Sequence, residues 1–221
     1  MASATISKHG EYDVTVSDRE PEMNAPQKMG VKMWKPMLAM AVMAFPIALI
    51  LGAVLANLLA TGTTIQDTAN AAALGQYTTA VMFIGFTAVF SAIVFAIGRI
   101  LGNLRTGGGS VQEASGRRVL TLAMPMTAKG MLATMMMAMM MLLFAVVAHV
   151  VLGFVVNDAV QDGDLRTIAS VESWATWIEG LRRVGAAVYL VSISLGLATI
   201  IQVLRFQSAR IRELPGEQAK S

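Results

Sequence analysis

Four long stretches of this chain carry almost no charge, and that pattern constrains the fold more than anything else in the sequence. Residues 36–60, 130–156 and 184–204 contain no Asp, Glu, Lys or Arg, and 79–101 contain Arg99 alone. At about 1.5 Å of rise per residue, each stretch as a helix covers the roughly 30 Å of a bilayer's hydrocarbon core. Apolar residues make up 55% of the chain and charged residues 14%, against roughly 25% charged in a soluble domain. This composition excludes a disordered chain and points away from an ordinary soluble globule. The expectation is an all-α integral membrane protein with four transmembrane helices. Pro36 suits a first helical turn, where a missing N–H costs nothing. Pro46 should kink the first span.

The connections divide the chain further. Residues 1–32 are polar and mixed in charge, with no apolar core of the kind a signal peptide needs; they read as a flexible cytoplasmic tail. Residues 33–205 form the four-helix domain, and 206–221 a C-terminal cytoplasmic tail whose helix runs on to Pro215. Residues 61–76 read as a short polar link. The stretch 102–118, with GNLRTGGGS, reads as a flexible connection; no Lys-Ser/Thr follows its glycines, so it lacks the features of a phosphate cradle. Residues 119–128 read as an interfacial approach to the third span. Before the fourth span, Ile168, Val171, Trp174, Ile178 and Leu181 recur at helical spacing. That predicts an amphipathic interfacial helix over 168–181, with Trp174 and Trp177 at headgroup level. Trp34 is a third anchor at the start of the first span.

Orientation follows from the basic residues. With both termini cytoplasmic, 14 Lys and Arg lie inside and only Arg166, Arg182 and Arg183 outside. This asymmetry predicts a multi-pass protein of the plasma (inner) membrane with both ends in the cytoplasm. It also accounts for the net charge of +3 without a nucleic-acid partner. The acids Asp67, Asp158, Asp162, Asp164, Glu172 and Glu179 fall in the outer loops. An internal repeat fits the same frame. KPMLAMAVMA (Lys35–Ala44) aligns without gaps on KGMLATMMMA (Lys129–Ala138) with six matches in ten positions, which predicts two tandem helical hairpins.

Few residues offer chemistry. The chain has no cysteine, which excludes disulfides, thiolate nucleophiles and iron–sulfur ligation. The third span holds Met131, Met135, Met136, Met137, Met139, Met140 and Met141. Met131/Met135 and Met136/Met140 are i, i+4 pairs, and thioethers are soft ligands suited to Cu(I). Over this one helix the spacing resembles the Met-xxx-Met element of copper transporters. The competing reading is that methionine is a flexible apolar filler of helix contacts. His149, the one histidine outside the N-terminal tail, offers a haem or metal ligand, or a hydrogen bond to a neighbouring helix. No span contains an acid of the kind a proton pump normally needs, and no Ser-His-Asp set, HExxH or Walker loop is present. Small residues at i, i+4 spacing, Thr87/Ser91, Gly98/Gly102 and Ser192/Gly196, predict close helix packing.

The functional expectation is a non-catalytic, accessory subunit that packs within and stabilises a larger membrane complex of redox or transport type. Its partners are membrane lipids and other integral subunits. A copper- or haem-handling protein using Met131, Met135, Met136, Met140 and His149 is the first alternative. A small transporter or channel is the second.

Overall fold

The computed structural model describes residues 5–17, 22–116 and 118–218. Parts of the expected tails, at 1–4, 18–21 and 219–221, lie outside the described residues, as does Arg117. The elements in order are β1 (Thr5–His9), β2 (Tyr12–Ser17), α1 (Ala25–Thr61), α2 (Ile65–Ala114), β3 (Val119–Leu122), α3 (Met126–Asp162) and α4 (Leu165–Gln218). All four helices are long and apolar enough to cross a membrane.

Each helix is longer than its apolar block, because capping chemistry rather than hydropathy sets the ends. Asn24 precedes α1, and the Gln27 side-chain oxygen accepts the Asn24 N–H at 2.9 Å, one half of a capping box. Pro36 therefore sits inside α1, as Pro46 does, and not in its first turn. At the start of α2, Thr64 Oγ1 accepts the Asp67 N–H at 3.0 Å, while Asp67 Oδ2 accepts the Thr64 N–H at 3.1 Å. The expected link over 61–76 shrinks to residues 62–64, since the Ala-rich run that follows is a strong helix former. The α3–α4 corner is tighter still. Gly163 takes φ +70°, its N–H bonds Val160 O, and the Asp164 N–H bonds Ala159 O at 2.9 Å, a Schellman cap. Asp164 then caps α4 through the N–H groups of Arg166 and Thr167.

Further expectations are corrected. The chain is not all-α: β1, β2 and β3 form an antiparallel sheet in that order, with His9 opposite Tyr12 and Val14 opposite Leu122. The β-branched run Val14, Thr15 and Val16 within Tyr12–Ser17, following a turn at Gly10 with φ +59°, is a strand signal that the mixed charge of the tail obscures. The glycine-rich stretch at 102–114 is helical, and β3 occupies part of the expected interfacial approach. The 168–181 segment is helical but is no separate element, because α4 runs through it without a break.

The contacts divide into two compact units. One draws on the described residues of 1–34, 93–133 and 191–221, the other on 35–92 and 134–190; we call them the sheet unit and the corner unit. In the sheet unit, Val14, Val119, Thr121 and Phe206 are buried, and Tyr12 meets Phe206 edge to face at 5.5 Å. Gln112 acts as a surrogate strand on the β3 edge: its amide donates to Leu120 O and accepts from Leu120 N, each at 3.0 Å. The glycines of α2 serve packing. A Cβ at Gly108 would collide with the Gln207 side chain, which donates to Leu104 O. A Cβ at Gly30 would lie 2.7 Å from Phe95 O, so α1 and α2 approach backbone to backbone there. In the corner unit, Ala80, Phe83, Ala145, Val146 and Ile178 form one core cluster, and Ala73, Val156 and Val171 a second.

Candidate functional site

The corner unit holds polar groups inside an apolar setting. His149 on α3 is buried, and its Nδ1 lies 2.6 Å from Gln76 Oε1 on α2. A carbonyl oxygen only accepts, so Nδ1 donates in this bond and Nε2 is the ring's other polar atom. That Nε2 is enclosed and has no hydrogen-bond partner among the described residues. The imidazole meets Phe83 edge to face at 5.1 Å, and the Arg182 guanidinium lies 5.0 Å from the centre of the same ring. Arg182 and Arg183 both bond Glu179, the second at 3.2 Å. Nearby in the same unit, Ser91 and Tyr189 share a hydrogen bond of 2.8 Å, both fully enclosed. Phe90 stacks on Tyr189 at 5.4 Å.

A cleft of about 520 Å³ opens in the same unit, lined by Leu58, Asn70, Leu74, Tyr77, Phe154, Asn157 and Asp158 among others. Tyr77 and Phe154 meet edge to face at 5.7 Å. A ladder of amides runs beside them. Gln66 donates to Asn70 Oδ1 at 3.1 Å, Asn157 donates to the same oxygen at 3.5 Å, and Gln161 donates to Asn157 Oδ1 at 2.6 Å. Gln66, Asn70, Tyr77, Asn157 and Gln161 were absent from the sequence-based candidates. The signal that could have found them is the recurrence of amides just outside two apolar blocks.

The candidates read from the sequence are placed as follows. Met131 and Met135 are buried, whereas Met136 and Met140 are exposed. At about 100° per residue the second pair lies 100–180° around α3 from the first, so the four sulfurs face no common point within the chain. The Met131 sulfur packs against Gly196. His149 bonds Gln76 rather than a methionine. Among the described residues no group of three or more His, Asp or Glu side chains is placed to share a metal ion. The small residues lie at close approaches. Thr87 bonds its own helix at Phe83 O and Ser91 bonds Tyr189. Ser192 donates to Met131 O at 2.8 Å. Gly98 lies near Pro26 and Gly30, and Gly102 near Met23 and Gln27. Trp34 lies under the Arg99 guanidinium at 5.3 Å. Trp174 and Trp177 are exposed and meet edge to face at 6.0 Å. Compared with known protein families, curated proteins and solved structures, the chain matches none.

Proposed function

We propose that this chain is a non-catalytic, multi-pass integral membrane subunit that packs within and stabilises a larger membrane complex. One observation carries the reading. Met136, Met140, Leu143, Val147 and Val150 follow one another at alternating steps of four and three along α3. All face out of the chain, from 37% exposed at Val150 to 67% at Met140. That spacing suits the seam of a left-handed helix pair, within a broader exposed face that also carries Met137, Phe144 and Val151, and flexible methionines suit a packed protein contact. Among the described residues these side chains stay exposed, so the seam is open to a helix of another subunit. Other integral subunits are the partners, in a redox or transport complex. The positive-inside asymmetry supports a plasma-membrane location with both termini cytoplasmic. In this reading α1–α2 and α3–α4 are tandem duplicated hairpins, and residues 168–181 lie at the outer interface.

The test is extraction in mild detergent from native membranes. The chain should migrate with larger integral partners, and Val147→Arg, which places a charge in the seam, should release it while the monomer still accumulates. A chain that migrates alone, or an assembly indifferent to the substitution, refutes the proposal. Cysteines introduced at Ser110 and Asp162 test orientation: the first should react only from the cytoplasm and the second only from outside.

A further inference from the structure

We propose that the cleft of the corner unit binds the headgroup of a membrane phospholipid bearing both a phosphate and a primary amine, of which phosphatidylethanolamine is the simplest.

Position is the first support. Phe154 belongs to the apolar stretch that ends at Val156, and Asn157 and Asp158 follow it directly. On α2, Asn70, Leu74 and Tyr77 come just before the apolar stretch that begins at Thr79. The lining therefore passes from apolar to polar at the level where both spans end, which is where a headgroup meets its glycerol.

The second support is the direction of the amide ladder. Asn70 Oδ1 accepts from both Gln66 and Asn157, and Asn157 Oδ1 accepts from Gln161. A carbonyl oxygen has two lone pairs, so at Asn70 both are engaged and what the side chain has left to offer is its N–H donors. Donors of this kind recognise the oxygens of a phosphate or an ester. Charge is the third support. Asp158 is an exposed carboxylate on the cleft wall and complements an ammonium group at the other end of the same headgroup. Leu58, Leu74 and the Tyr77–Phe154 pair receive the glycerol and first methylenes. A headgroup with a phosphate and no amine, as in phosphatidylglycerol, would meet the donors but be repelled by Asp158.

The experiment uses the full-length chain purified in detergent, equilibrated with equal amounts of phosphatidylethanolamine and phosphatidylglycerol, with bound lipid read by native mass spectrometry. The expected result is about fivefold enrichment of phosphatidylethanolamine, the size one partly exposed ion pair can give. Asp158→Asn should abolish the preference while leaving total lipid unchanged. Asn70→Asp, which sets a carboxylate against the phosphate, should lower occupancy by both lipids about fivefold. Both residues are exposed, so folding is checked independently by an unchanged melting temperature. Equal retention of the two lipids, or a preference that survives both substitutions, overturns the proposal. So does binding of soluble phosphoethanolamine as tight as that of the lipid, which would assign the cleft to a water-soluble ligand. The isolated chain suffices, so the result is independent of any larger assembly.

Discussion

Two glutamines show how differently the two units treat buried polar groups. Gln112, in the sheet unit, has its amide fully engaged: Nε2 donates to Gly108 O and Leu120 O, while Oε1 accepts from Leu120 N and, at 3.4 Å, from buried Arg210. Gln76, in the corner unit, gives its oxygen to His149 and leaves Nε2 of that ring unmatched. Saturated amides fix one geometry, which is what a sheet edge beside a helix end needs. An enclosed ring nitrogen without a partner carries a desolvation cost that only another role, such as positioning neighbours in a membrane, would offset. The sheet unit thus adds a saturated amide clamp to the apolar contacts of Val14, Val119 and Phe206, whereas the corner unit keeps one buried ring nitrogen unsatisfied beside its apolar clusters.

The largest effect expected from this contrast is at Gln112. Gln112→Ala removes the clamp on Leu120 and one partner of Arg210, and should cost on the order of 3 kcal/mol. Amide exchange at Leu120 and Thr121 should accelerate while α1 stays protected. If the strand amides remain protected, the sheet is held by its apolar face instead. Next comes a pair of glycines. Gly30→Ala puts a methyl against the backbone of Phe95 and Arg99, whereas at Gly85 the neighbours are atoms of the Phe45 ring. Backbone cannot yield as a ring can, so we expect about 2 kcal/mol for Gly30→Ala and under about 1 kcal/mol for Gly85→Ala. Equal melting shifts for the two would erase the distinction. In the corner unit, Gln76→Leu should cost about 1 kcal/mol, because it strands the second nitrogen of His149 as well. Adding His149→Leu should recover most of that loss. A double variant as unstable as the sum of the two singles would show that the ring serves some other contact.

The sequence made the four spans legible because an uncharged run long enough to cross a bilayer has few other fates. It hid the rest for two physical reasons. The helix extensions at Ala25–Lys35 and Gly102–Ala114 are set by caps and by side chains distant in sequence, such as Gln207 on Leu104, and glycine there signals close approach where composition suggests flexibility. The strands are short, and their partner β3 lies about a hundred residues away, so pairing leaves little local trace. His149 stood out as the one ionisable group deep in a span, yet its partner Gln76 lay within what read as a link. Methionine spacing marked a helix face, but spacing alone does not distinguish the buried Met131/Met135 pair from the exposed Met136/Met140 pair.

The smallest effect concerns acid, and it sets an order between the units. In the sheet unit, the hydrogen bond from His9 at 2.8 Å, then that from Arg210 at 3.1 Å, holds the Glu213 carboxyl below its ordinary 4.5. In the corner unit, the Thr167 hydroxyl and then its N–H hold Asp164 below 3.8. Both are carboxylates depressed by folding, so each stabilises its unit fully at pH values above its unfolded pKa. That contribution fades as the pH falls through the folded value. The Glu213 window opens first because its unfolded pKa is higher. On acidification below 4.5 the His9–Glu213 tie should therefore loosen before the α3–α4 corner does. Both groups are largely solvated, which keeps the effect small. Limited proteolysis over descending pH should cut the β1–β2 segment before the Gly163–Asp164 corner. In Glu213→Gln, sheet-unit cleavage should be higher at neutral pH and should lose its acid dependence. If the corner opened first, or if Glu213→Gln followed the unsubstituted protein at every pH, the tie between β1 and α4 would have no part in holding the sheet.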